Sequence, residues 1–115
     1  MKTLKSNEFV AIISDQDAHA NGFFVNFFSR PASTPKAAAL FSLRAGCPLI
    51  TGHCIRNSDG YVVVFDKIEP PAPSGDEQED AKNLTALYTS KIESYVRANP
   101  DHWFWMHKRW KTSPC

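Results

Sequence analysis

Apolar residues along the chain fall into short runs separated by polar punctuation. The first, residues 9–14 (FVAIIS), is uninterrupted and rich in Val and Ile, which predicts a strand of a parallel sheet, buried on both faces and ending at Asp15. A polar stretch from Gln16 leads to Gly22, and the next run, FFVNFF, predicts an extended segment over residues 23–28. Thr34-Pro35 has the form of a helix start: a hydroxyl able to cap, then a proline at the first helical position, where its missing N–H is unpaired anyway. The helix predicted from there runs over residues 37–45, with Gly46 as its left-handed stop and Pro48 blocking continuation. Residues 48–55 and 61–65 read as strands. The Asn57-Ser58-Asp59-Gly60 turn between them predicts an antiparallel hairpin. Residues 70–80 form an internal loop that passes into the acidic first turn of a helix, where carboxylates favour the positive end of the helix dipole. Along that helix Ala81, Leu84, Leu87, Tyr88, Ile92, Tyr95 and Val96 recur at spacings of three and four and make one apolar face. Asn99-Pro100 ends it and opens a final helix, on which Trp103, Met106, His107 and Trp110 share a face.

These elements predict an α/β fold: a small mixed sheet of the strands at 9–14, 48–55 and 61–65, covered by the helices that begin at Pro35 and Asp80 and closed by the Trp-rich helix. With 115 residues, 43% hydrophobic and 22% charged, the chain fits one globular unit, and no repeat or second-domain boundary is visible. The formal net charge of +1 lacks the basic excess that phosphate neutralisation demands, so no nucleic-acid partner is expected. Cys47, Cys54 and Cys115 are odd in number and form no CxxC pair, which favours reduced thiols over a disulfide framework or a zinc site. The lysines at the start are followed by an apolar stretch bounded by Glu8 and Asp15. It is shorter than the roughly 7–15 residues of a secretory h-region and far shorter than the roughly 20 of a membrane span.

Two stretches carry candidate chemistry. Asp15, Asp17 and His19 have a DxDxH spacing that would offer oxygen and imidazole ligands to one metal ion if the loop curled around it, but no second ligand cluster accompanies them and no metal is assigned. In residues 23–34 the pairs Phe23-Phe24 and Phe27-Phe28 precede Arg30 and Thr34. That arrangement reads either as an apolar wall beside a cation and a helix start, suited to an acyl chain and a phosphate, or as core phenylalanines with a surface arginine. The Trp-rich ending reads likewise in two ways. It is an interfacial element with Lys108, Arg109 and Lys111 toward anionic lipid, or, favoured here, a face packed on the sheet with solvated cations and a structural His107.

The pair Asp15-Gln16, the block FFVNFFSRPAST, the stretch AAALFSLRAGCPLI, Arg56 with Asp59-Gly60-Tyr61, and the ending PDHWFWMHKRWKTSP together resemble the lipid A biosynthesis (lauroyl/myristoyl-type) acyltransferase family, in order and spacing, from about residue 5 to Pro114. Asn26 stands where that family usually has proline, Ser29 where it usually has glycine, and Thr51-Gly52-His53 where a further proline is common. The family's HxxxxD motif, whose histidine is the general base on the acceptor hydroxyl, is absent: five residues after His19, His53, His102 and His107 stand Phe24, Ser58, His107 and Thr112. The resemblance therefore implies a single partial domain over 1–115, the C-terminal half of a glycerolipid-acyltransferase-like fold, with no catalytic residue of its own and no cofactor. It implies transfer of a fatty acyl group from acyl carrier protein or coenzyme A to a hydroxyl of a lipid A-type or phospholipid acceptor, at the cytoplasmic face of the inner membrane in the complete protein. Asp15, Gln16, Phe27, Phe28, Arg30, Thr34 and Arg56 would line the substrate side, and a missing N-terminal half or self-association would cover the exposed sheet. The readings from other classes are a non-catalytic lipid-binding module and a small metal-dependent hydrolase built on Asp15, Asp17 and His19.

Overall fold

The computed structural model describes residues 1–115. In chain order the elements are a short helix α1 (Lys2–Lys5), strands β1 (Phe23–Phe27) and β2 (Arg30–Thr34), helix α2 (Ala37–Ala45), strands β3 (Leu49–Asn57) and β4 (Gly60–Ile68), and the long helix α3 (Glu77–Ala98). Single 3₁₀ turns lie at His19–Asn21 and Pro100–His102. The class is α/β as expected, but the sheet is not one mixed sheet. β1 pairs only with β2 and β3 only with β4, both antiparallel.

The run at residues 9–14 forms no strand, and most of its side chains lie open: Phe9 is 91% and Ile13 82% exposed, with Ile12 and Ser14 half-buried. A parallel-type strand needs a neighbour to take its N–H and C=O groups, and no other strand of the chain lies beside this one. The β3–β4 hairpin is where its Asp-Gly turn put it, pairing from Leu49↔Ile68 to Asn57↔Gly60, with Gly60 at φ +139°. The 70–80 loop is shorter than expected. Asp76 caps α3 by accepting from the N–H groups of Gln78 and Glu79, so the helix is under way by Glu77.

Thr34 does not cap α2. The residue before that helix is Lys36, with no side-chain cap, and Thr34 is instead the last residue of β2. The helix stop is as read, with Gly46 at φ +63° and Cys47 N–H returning to the Ser42 carbonyl. Ala81, Leu84 and Tyr88 of α3 pack with Ala39 of α2 and Ile68 of β4 into one core. Further along α3, Val96 packs with Phe27 and Ala32 of the first hairpin into a second, while Leu87 stays exposed. Partly buried Ile92 touches both.

The ending is not a helix. After Pro100–His102 the chain runs through a series of tight turns, closed by Trp105 N–H to Trp103 O, His107 N–H to Phe104 O, Arg109 N–H to His107 O and Lys111 N–H to Lys108 O. The spacing of three and four in this stretch therefore does not define a face. Trp103 and Trp110 pack on Phe27, whereas Met106 is 85% exposed.

Candidate functional site

The residues singled out from the sequence gather mainly around the first hairpin, and one that was not singled out holds them together. β1 and β2 are joined by the two-residue turn Phe28-Ser29, both left-handed at φ +52° and +59°. That is the turn whose twist matches a hairpin, and it favours glycine or asparagine over a phenylalanine and a serine. It is held by Glu93 of α3, which accepts the Phe28 N–H at 2.8 Å, and by Arg97, whose guanidinium sits 4.5 Å above the Phe28 ring while bonding Glu93 at 2.7 Å. Burial pushes the Glu93 carboxyl up, but the Phe28 N–H and Arg97 outweigh it and hold it below the usual carboxylate range.

Phe27 is not a wall of a cleft but the centre of an aromatic stack. It is 1% exposed, with the Phe28 ring edge-on at 4.8 Å, Trp103 at 5.3 Å and Trp110 stacked at 5.5 Å. The Trp110 indole N–H donates to the Phe27 carbonyl at 3.2 Å. Two guanidinium groups close the stack, Arg30 at 5.1 Å over Trp110 and Arg109 at 5.4 Å over Phe27. Arg30 is thus at the turn end of β2, and Thr34 at the other end, four residues or roughly 13 Å along an extended strand. Arg30 does not lie beside the start of α2.

Arg109 was expected in solvent and is 2% exposed. It donates to the Ser33 carbonyl at 2.7 Å and to Thr34 Oγ1 at 2.6 Å, and the Thr34 hydroxyl donates on to the Ala32 carbonyl at 3.1 Å. This is why Thr34 does not cap the helix: a charged donor has taken its oxygen. Both direct partners of the cation are neutral. Burial lowers the Arg109 pKa, against the attraction of the Asp17, Tyr88 and Asp15 side chains.

Asp17 ties the loop before β1 to the ending. Its carboxylate accepts the Thr112 hydroxyl at 2.8 Å, the Thr112 N–H at 3.3 Å and the His19 N–H at 3.1 Å, while its own N–H donates to His107 Nε2 at 2.9 Å. Burial raises the Asp17 pKa, and those bonds more than reverse it, leaving it below the ordinary carboxylate value. Asp15 has one buried carboxylate oxygen without a hydrogen-bond partner, and Gln16 is exposed. Asp17 and His19 do meet, at 3.3 Å, but no cluster of three His, Cys, Asp or Glu side chains is formed that would hold a metal ion. Arg56 lies apart on β3, exposed, its N–H donating to His102 Nε2 at 3.0 Å.

A second polar cluster joins the other hairpin to α3. His53 stacks on Tyr95 at 3.5 Å, and the Tyr95 hydroxyl bonds Asp66 and reaches Thr51 Oγ1 at 3.3 Å, with Lys91 at 3.5 Å from Asp66. Burial lowers the His53 pKa and outweighs the pull of Asp66. Open depressions under Pro70, Pro71 and Pro73 and beside Cys47, Pro48 and Glu69 contain neither histidine nor arginine.

Arg109 and Asp17 were missed as anchors because the ending was read with a helical period. Read with a period of two, His107 and Arg109 fall on one side and both turn inward, as Trp103 and Trp110 also do.

Comparison with known proteins agrees with the motif reading. Residues 1–112 match the family model for bacterial lipid A biosynthesis acyltransferases. The chain is 28% identical over 116 residues to the lipid A biosynthesis palmitoleoyltransferase of Escherichia coli (strain K12), covering 96% of this chain and 36% of that protein. The same figures hold for the lipid A biosynthesis acyltransferase of Shigella flexneri. The chain thus spans about a third of the length of the curated relatives it matches. With the match running from α1 through the hairpin to the aromatic clamp, this chain belongs to the bacterial lipid A biosynthesis acyltransferase family.

Proposed function

We propose that this chain forms the substrate-side portion of an enzyme that transfers a fatty acyl group from acyl carrier protein or coenzyme A to a hydroxyl of a lipid A-type or phospholipid acceptor, and that alone it does not catalyse the transfer. The family match over residues 1–112 carries the reading. Its second half is supported by the state of the histidines. None has an aspartate five residues on, and in His102 and His107 the Nε2 that would take a proton already accepts a backbone N–H. A general base must have that nitrogen free for the acceptor hydroxyl.

In this reading Arg30, exposed at the hairpin turn, is the anion contact for a phosphate of donor or acceptor, and Phe28 beside it meets an acyl chain. Phe27 and Thr34 act from behind, as the core that holds the turn in place. Asp15 and Gln16 in the loop before β1, and Arg56 apart on β3, are further substrate contacts in the complete enzyme, at the cytoplasmic face of the inner membrane. The remainder of the enzyme covers the outer face of β3–β4. No helix of this chain is long and apolar enough to cross a membrane.

The test is turnover with a labelled acyl-carrier donor and a lipid acceptor in detergent micelles. The purified chain is expected to give none, and a complete enzyme carrying this sequence is expected to give transfer. Transfer by the 115-residue chain that disappears with His19→Ala, or a complete enzyme that binds acyl lipid without ever transferring it, overturns the proposal. The latter outcome makes the protein a lipid-binding module.

A further inference from the structure

The turns of the ending sort its aromatics into two sets. Trp103 and Trp110 are packed against Phe27, but the consecutive Phe104, Trp105 and Met106 project outward, 62%, 51% and 85% exposed. Exposed apolar side chains are ordinary singly; three in a row on a turn, with the half-buried Phe28 ring 6.1 Å from Trp105, make a patch. We infer that this tip, Phe104-Trp105-Met106, is a membrane-surface contact that enters the boundary of an anionic lipid leaflet. The inference deepens the reading of the complete enzyme as one that works at a membrane, by naming the surface that meets it.

Three observations point to lipid rather than to protein. The Trp105 indole N–H already donates to the Pro100 carbonyl at 2.6 Å, so burying the ring in hydrocarbon leaves no polar group unpaired. The turns that carry the tip use their own N–H groups, Trp105 to Trp103 and His107 to Phe104, so part of the backbone cost of entering an apolar phase is already met. Asp101, before the tip, is paired with His102, and Glu93, under the Phe28 turn, with Arg97, and the charged side chains that follow the tip are all basic. No acidic residue occurs from His102 to Cys115, and Lys108 and Lys111 are both exposed, as is Arg30 on the neighbouring Trp110 ring. An aromatic and thioether tip flanked by cations is the complement of a leaflet with anionic headgroups above its acyl chains.

The experiment is flotation of the purified chain with vesicles of phosphatidylcholine alone and of phosphatidylcholine with about 30% phosphatidylglycerol, at low and high salt. The chain is expected to float with the anionic vesicles, to be released by salt, and to bind the neutral ones much less. Phe104→Ser/Trp105→Ser/Met106→Ser and Lys108→Ala/Lys111→Ala are each expected to lose roughly tenfold or more in binding, with unchanged far-ultraviolet circular dichroism because all five side chains are exposed. Failure to float with anionic vesicles, or flotation that the triple-serine variant retains, overturns the inference. So does a tip variant that leaves flotation unchanged while dissociating an oligomer, which would make the tip a protein contact. The transfer assay in micelles contains no bilayer, so its outcome is independent of these.

Discussion

Arg109 shows at the scale of one residue how this chain spends a charge. A guanidinium taken out of water is costly unless its donors are engaged, and here they bond the Ser33 carbonyl and the Thr34 hydroxyl while the plane covers Phe27. Arg109→Met is expected to cost about 2–4 kcal/mol of stability, because the Thr34 and Ser33 oxygens lose their donor and the Phe27 ring loses cover. Arg109→Lys retains the charge but not the fork, and is expected to recover only part of that loss. Urea denaturation at neutral pH measures both. Ser29 offers the opposite case. At φ +59° it occupies a conformation that strains residues with a Cβ, so Ser29→Gly is expected to raise stability by about 0.5–1 kcal/mol after the entropy of glycine is set against the relief. An unchanged or lowered denaturation midpoint would show that the turn is held without strain. Asp17 gives the residue scale its pH dependence. Its folded pKa lies below the unfolded value, so its stabilisation is complete above about pH 4 and is lost as the pH falls through the folded pKa. Melting temperature is expected to drop below about pH 4 in the native chain, and that part of the drop is expected to vanish in Asp17→Asn, whose melting temperature starts lower at neutral pH. Equal acid slopes for the two proteins would assign the transition to other carboxylates.

Among the elements, the β1–β2 hairpin and the ending form a clamp in which Arg30 has the exposed position. Its stacking on Trp110 is a surface cation–π contact worth about 0.5–1 kcal/mol, so Arg30→Ala is expected to lower stability by no more than that. In a complete enzyme built around this sequence the same change is expected to weaken lipid handling by roughly 1.5–3 kcal/mol, the loss of a charge-assisted bond. Catalytic efficiency and melting temperature measured on one preparation separate the two effects. If stability falls by more than 1 kcal/mol or so and catalytic efficiency is untouched, Arg30 is a structural partner of Trp110. Much of the element map was legible from the chain alone. Gly46 after the helix, Asp59-Gly60 between two apolar runs and the acidic start of α3 are local signals whose physics acts within a few residues; the first two are where they were read, and the third opens its helix at Glu77, a few residues earlier than read. The strand Arg30–Thr34 was hidden by Pro31 and by a Thr-Pro pair that imitates a helix start. The Trp-rich ending has the spacing of a helix without being one. In both places contacts from distant residues decide: Arg109 takes Thr34, and Phe27 takes Trp103 and Trp110.

As a whole the molecule buries little for its length. Only 16 of 115 residues are buried, and the outer face of β3–β4 presents Ile50, Tyr61, Val63 and Phe65 at 57%, 73%, 55% and 71% exposure. A two-stranded hairpin with a bare apolar face is marginal by itself, and with residues 9–14 also open the chain offers two apolar surfaces that want cover. The isolated chain is therefore expected to self-associate and to bind a hydrophobic dye, and Val63→Lys/Phe65→Lys to reduce both. A monomer at high concentration by sedimentation, with no dye binding, would mean that these faces need no partner. What the sequence by itself determined is the family, the α/β class, the second hairpin and the two long helices, because motifs, turn residues and periodicity act locally. What only the tertiary structure decided is which of the aromatic and charged residues are inside. Phe27, Thr34 and Arg109 became a buried clamp and Arg30, Phe104 and Trp105 an outer surface, because burial is settled by which distant segment arrives to cover a side chain, and composition and spacing are blind to that.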